Sequence, residues 1–124
     1  MDNFDSVLSR GGEVRTVETG SRRDSRKGRG RFDLIPPYFL RRLAKHYENG
    51  AAKYGDNNWK KGQPLRWYID SAFSHLVAIM EGRDDEDHET AAIWNLISFM
   101  WTKQMISQGK LPPELDDMSR DEPI

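Results

Sequence analysis

The stretch DDEDHETAAIWNLISFMWTK, Asp84–Lys103, decides the fold. At helical periodicity Asp84, His88, Ala91, Asn95, Ser98 and Thr102 fall within about 80° of one another, while Ile93, Trp94, Leu96, Ile97, Met100 and Trp101 cover the remaining surface. A helix that is apolar around most of its circumference is buried, and each unpaired polar group buried with it costs roughly 1–3 kcal/mol. The stripe must therefore pair with itself, with a ligand or with a metal. It reads as one wall of a site; the alternative is a core hydrogen-bond network satisfied within the chain.

Working outward, Gly82-Arg83-Asp84-Asp85 is a short connection from a preceding helix that Pro64 opens and that runs to about Glu81. Its apolar face is predicted to be Leu65, Ile69, Ala72, Phe73, Leu76 and Met80, with Asp70, Ser74 and Glu81 opposite. So short a link makes the two helices an antiparallel hairpin. Further upstream, Phe39, Leu40, Leu43, Ala44, Tyr47 and Ala51 recur at spacings of three and four behind Pro36-Pro37, giving a first helix that ends between Gly50 and Gly55. AAKYGDNNWKKGQP supplies the loop between. No alternating pattern of useful length and no internal repeat occurs, so the fold class is all-α, an antiparallel helical bundle. Residues 1–31 are expected to be a flexible basic arm without an element, 32–106 the helical domain, and 107–124 an acidic tail that ends the fold.

With 124 residues the chain is long enough for one domain, and its 36% hydrophobic content leaves much of the length outside a core. A formal net charge of −1 gives no basic field for binding a nucleic-acid polymer. The charge is segregated, however. RRDSRKGRGR (22–31) is basic and EGRDDEDHE (81–89) acidic, so the two segments are suited to meet. Cysteine is absent, which excludes disulfides and thiolate metal sites. No signal-like or membrane-length apolar run exists, and a cytoplasmic protein without membrane partners is the expectation.

No nucleophile triad and no phosphate loop is present: the G-x-G of Gly28–Gly30 neither follows a strand nor opens a helix. The groups left for chemistry are Glu48 on the first helix, Asp70, His75 and Glu81 on the second, and Asp84 through His88 at the start of the third. Oxygen-rich sets of this kind suit Mg²⁺ or Mn²⁺. Asp70 and His75, five residues apart, lie about 140° apart around their helix and cannot both point inward. For the acidic run the plain alternative is a solvated helix start whose carboxylates complement the dipole, which suits Asp85 and Glu89 best. Trp59, beside Lys53, Asn58, Lys60 and Lys61, is either a core plug or a platform for a base. The basic arm is either a solvated tail or a closure over a polyphosphate.

The ordered set TGSRRD (19–24), KGRGRFDLIP (27–36), YENGAAKYGDNNWKKG (47–62), YIDSAFSHL (68–76), GRDDEDH (82–88) and AAIWN (91–95) resembles phage and bacterial proteins of the dATP/dGTP diphosphohydrolase, N-terminal type, relatives of the MazG-like all-α nucleotide pyrophosphohydrolases. The resemblance implies hydrolysis of (deoxy)purine nucleoside triphosphates to monophosphate and pyrophosphate, nucleotide-pool control during phage growth, Mg²⁺ (or Mn²⁺) and a dimer or tetramer that completes the bundle. It implies catalytic roles for Glu48, Asp70, His75, Asp87 and His88, and metal ligation by Glu48, Asp84, Glu86 and Asp87. Nucleotide contacts fall to Lys27, Arg29, Arg31, Lys53, Tyr54, Asn58, Trp59 and Asn95. MazG proper carries E-E-x-x-E followed by E-x-x-D; this chain has neither in that form and offers His75 and His88 in the corresponding hairpin.

Two other functions compete with the enzyme: a protein that sequesters a nucleotide or nucleotide signal without cleaving it, and a structural helical oligomer with no small ligand. Convergence of Glu48, Asp84, Glu86 and Asp87 within about 5 Å of one point favours metal catalysis, whereas splayed carboxylates count against it. A stripe filled internally by side chains favours the structural oligomer.

Overall fold

The computed structural model describes residues 14–118, and the mostly helical architecture expected from periodicity is present. Three long helices, α1 (Pro37–Tyr54), α2 (Leu65–Met80) and α3 (His88–Ser107), are accompanied by 3-10 turns at Phe32–Leu34, Asn58–Lys61 and Pro113–Leu115. The chain divides into two compact units at Pro37/Tyr38.

Within the first unit, a two-stranded antiparallel hairpin pairs β1 (Arg15–Thr16) with β2 (Arg22–Arg23), Arg15 opposite Arg23. This element stands in the stretch expected to have none, because two-residue strands are too short to leave an alternation in sequence. Its turn is closed by the Val17 N–H donating to the Ser21 carbonyl at 3.0 Å. The part of the arm before residue 14 and the tail after residue 118 lie outside the described residues.

In the second unit α2 and α3 pack antiparallel, as the start of α2 meeting the end of α3 shows: the Thr102 hydroxyl lies 3.4 Å from the Tyr68 hydroxyl. The face that closes this seam agrees with expectation at Leu65 and Ala72 and differs elsewhere. Leu65, Tyr68 and Ala72 of α2 are buried against Ala91, Asn95, Ser98 and Thr102 of α3, whereas Phe73, Leu76 and Met80, expected inward, are exposed, Met80 at 87%. The polar, small-residue stripe is thus the packing face. Small side chains let the two backbones approach, and the large apolar side chains are left outward. Ile93, Leu96 and Met100 of α3 and Tyr38, Phe39 and Leu40 of α1 are exposed as well. Helical periodicity fixed which residues share a face but not which face turns to the neighbour.

Residues beyond α3 pack back on the start of α2. Leu111 and Leu115 press on Gly62, whose φ is +88° and where a Cβ would sit 3.0 Å from both leucine Cδ1 atoms. Asp117 accepts from the Arg66 backbone N–H at 3.0 Å through its carboxylate and from Arg66 Nε at 2.7 Å through its carbonyl. Pro64 precedes α2 without a side-chain cap, so Asp117 satisfies one of the free amides of the first turn.

Candidate functional site

The end of the hairpin where α2 gives way to α3 gathers the titratable groups. Asp87 caps α3, its Oδ1 accepting from the Thr90 N–H at 3.2 Å. That cap sets His88 as the first residue of the helix and leaves Asp84 in the connection, exposed and off the stripe it was expected to head. Arg42 of α1 grips Asp87 through both carboxylate oxygens, with Nε 3.1 Å from Oδ2, and reaches Glu89 Oε1 at 3.3 Å. The guanidinium holds the Asp87 carboxyl well below the usual carboxylate range.

His88 is buried, and its Nδ1 lies 2.9 Å from Nδ1 of half-buried His75 on α2. On its other side Nε2 meets Asp85 Oδ1 at 2.8 Å, and Arg83 donates to Asp85 Oδ2 at 2.9 Å. The His88 hydrogen bond first, then Arg83, brings the Asp85 carboxyl down to about 2. Glu86 Oε1 stands 3.6 Å from His75 Nδ1 and 3.8 Å from His88 Nδ1. His75, Glu86 and His88 each offer a ligand atom within 4.8 Å of the others, the one such group among the described residues. The chain's third histidine, His46 of α1, lies against Trp94 at 5.6 Å between ring centroids; burial pushes its pKa down, and the negative charges of Asp87 and Glu86 oppose that shift.

The other residues expected at a site are dispersed. Glu48 is exposed and pairs with Lys45 on its own helix at 3.3 Å. Asp70 lines an open groove of about 750 Å³ with Arg66, Trp67, Phe73, Phe99 and Met118, apart from His75. Glu48, Asp84, Glu86 and Asp87 therefore do not gather around one point within a chain; of the four, Glu86 alone joins the histidines. Trp59 is edge-on to Trp101 at 5.0 Å and to Tyr47 at 5.9 Å, the plug arrangement. Lys53 lies over the ring of exposed Tyr54, and Asn58 begins the neighbouring 3-10 turn. Asn95 is buried in the seam, donating to the Ala91 carbonyl at 2.9 Å, while the Ser98 hydroxyl is buried with no partner. In the first unit, Arg31 pairs with Asp33 at 2.7 Å, Lys27 donates its backbone N–H to Ser25, and Arg29 has a buried guanidinium nitrogen without a hydrogen-bond partner.

Sequence reasoning missed Arg42 and assigned Asp85 to a solvated helix start, whereas it holds His88. The spacing of Asp85 three residues before His88 was available as a signal; nothing in sequence links Arg42 to a carboxylate 45 residues away.

Residues 18–111 match the family described as dATP/dGTP diphosphohydrolase, N-terminal. The chain belongs to that family. No curated protein and no solved structure matches it. The histidine–carboxylate group, the connection that carries it and all three helices lie inside the matched span of this dATP/dGTP diphosphohydrolase family member, whereas Asp117 lies beyond it. Among the described residues no helix is long and apolar enough to cross a membrane.

Proposed function

We propose that the protein hydrolyses purine (deoxy)nucleoside triphosphates in the cytoplasm, releasing monophosphate and pyrophosphate and so controlling a nucleotide pool. The observation that carries this reading is the membership of a dATP/dGTP diphosphohydrolase family over a span that brings Asp85, Glu86, His75 and His88 together. In this reaction water attacks the α-phosphorus, the bond from that phosphorus to the bridging oxygen breaks, and pyrophosphate departs. The water's proton passes to the imidazole pair, and Asp85 and Glu86 offset the positive charge it brings. Lys53 supplies a cation for the phosphate oxygens, and Tyr54 and Asn58 the base contacts.

Mg²⁺ held by Glu48, Asp84, Glu86 and Asp87 does not fit a single chain, because Glu48 pairs with Lys45, Asp87 with Arg42, and Glu86 sits with the two histidines. No step is assigned to that ion. The same dispersal favours a second reading, a pocket that holds a nucleotide without cleaving it.

Self-association into a dimer or tetramer belongs to the proposal. Trp67, Phe73, Leu76, Ile93, Leu96 and Met100 expose large apolar surface that a second copy would cover. Sedimentation of the purified protein tests this, and a monomer at every concentration refutes it.

The catalytic test incubates the protein with dNTPs and NTPs in the presence of Mg²⁺ or Mn²⁺ and separates the products by ion exchange. Monophosphate with pyrophosphate is expected. Nucleotide retained intact through gel filtration would establish sequestration instead, and neither turnover nor binding would leave a structural oligomer.

A further inference from the structure

We propose that His75 Nδ1, His88 Nδ1 and Glu86 Oε1 form a binding site for a later first-row transition cation such as Co²⁺, Ni²⁺ or Zn²⁺, selective against Mg²⁺. The reaction proposed above uses the same imidazole pair as a proton acceptor, so cation and proton compete for Nδ1; cation binding is read without nucleotide and stands apart from turnover.

The two Nδ1 atoms are 2.9 Å apart. Imidazole nitrogens bind such ions at about 2.1 Å, and two nitrogens at that length and this separation subtend about 90° at the metal. A right angle is the cis angle of octahedral or tetragonal coordination, so the pair is already spaced for Co²⁺ or Ni²⁺; tetrahedral zinc asks for a widening of about half an ångström. Glu86 Oε1, 3.6 and 3.8 Å from the two nitrogens, is 54% exposed and closes the remaining distance by turning its own side chain.

A metal-bound histidine needs its lone pair on the ligating nitrogen and its proton on the other, and a carboxylate behind the ring commonly enforces this. Asp85 Oδ1 occupies that place, 2.8 Å from His88 Nε2, and Arg83 holds Asp85 from behind. With Nε2–H donated to Asp85, the lone pair of His88 falls on Nδ1, facing His75. The backbone fixes the ring as well, since His88 is the first residue of α3, behind a cap that Arg42 anchors to α1. Asp85 is thus a positioning residue for His88.

Mg²⁺ takes hard oxygen donors in a strict octahedron and retains its waters, whereas imidazole suits later first-row cations. Two nitrogens and one carboxylate leave positions open for water or another ligand.

The test uses the full-length protein, stripped of metal and free of nucleotide. Titration with Co²⁺ is expected to give saturable visible d–d absorption at one ion per chain, displaced by Zn²⁺ or Ni²⁺ and unaffected by a large excess of Mg²⁺. His75→Ala and Glu86→Gln, at half-buried and exposed positions, are expected to weaken or abolish the signal with circular dichroism unchanged. Asp85→Asn is expected to keep the stoichiometry and lose roughly 10–100-fold in affinity. Absence of saturable binding, binding unaltered in His75→Ala, or equal displacement by Mg²⁺ would overturn the assignment. Because no nucleotide is present, an inactive protein that still binds Co²⁺ refutes only the hydrolytic reading.

Discussion

Replacing Asp87 with alanine removes two interactions, a helix cap and an ion pair, and their separate sizes can be worked out. The cap is the acceptance of the Thr90 N–H by Oδ1, and loss of such a cap costs about 1 kcal/mol. The ion pair is the two-pronged grip of Arg42; the side chains are 28% and 38% exposed, so solvent screening limits it to about 0.2–1 kcal/mol. Asp87→Ala is therefore expected to cost about 1–2 kcal/mol, or a fall in Tm of roughly 4–16 °C for a domain of this size. Asp87→Asn keeps a good capping side chain and loses only the charge, so its cost is expected to be about 0.2–1 kcal/mol. Arg42→Met should cost a similar amount, and the double variant Arg42→Met/Asp87→Asn less than the sum. The assay is urea unfolding followed by circular dichroism at one fixed protein concentration, since association would shift the midpoint. The acid limb gives an independent check. The folded carboxyl has a depressed pKa, so its contribution is complete above the unfolded value near 4 and is lost as pH falls toward the folded value; Asp87→Asn should flatten that loss. Equal unfolding midpoints for wild type and Asp87→Ala, or Asp87→Asn as costly as Asp87→Ala, would refute the reasoning.

Three further outcomes follow from the packing. Gly62→Ala forces a side chain into a left-handed backbone and against Leu111 and Leu115, and should cost about 1–3 kcal/mol in the same unfolding assay; a neutral result would mean that the turn relaxes freely. Ser98→Ala removes a buried hydroxyl that has no partner and should leave stability unchanged or raise it by about 1 kcal/mol, whereas a clear loss would show that the hydroxyl is satisfied in solution. His46, whose pKa is lowered first by burial, is a base that is harder to protonate when folded. Stability should thus fall as pH drops through its unfolded value near 6.5, and His46→Gln should shrink the slope between about pH 5 and 7; an unchanged slope would place the titration elsewhere.

How far the sequence was legible depends on the range of the interaction. Prolines, glycines and apolar spacing located all three helices, because those signals act over one or two turns. The stripe His88–Asn95–Ser98–Thr102 was recognisable as special for the same reason, and all four residues are buried. Its partner was not legible. Leu65 and Ala72 were expected on the inner face and are buried there, but Tyr68 faces the stripe only because small residues allow a close approach, which a hydrophobicity pattern does not encode, so Phe73 and Leu76 were expected where Tyr68 packs. The site divides along the same line. His75, Glu86 and His88 were all named, yet their grouping needed the crossing of α2 and α3, and the Arg42–Asp87 contact needed α1 as well. Glu48 and Asp70 were grouped with them on residue type alone, and type carries no direction around a helix.

The α2–α3 hairpin also has a kinetic consequence. Its contacts close over a connection of only a few residues, so it belongs to the elements that form early, on the scale of roughly microseconds, before more distant segments are recruited. Once zipped, it hides its hydroxyls and amide and displays Leu76, Leu96, Phe73, Met80 and Met100. A refolding chain would thus pass through an intermediate that is well ordered inside and adhesive outside. Yield on dilution from urea would then depend on how many such hairpins meet per unit volume, and recovery should improve as the chains are diluted before they fold.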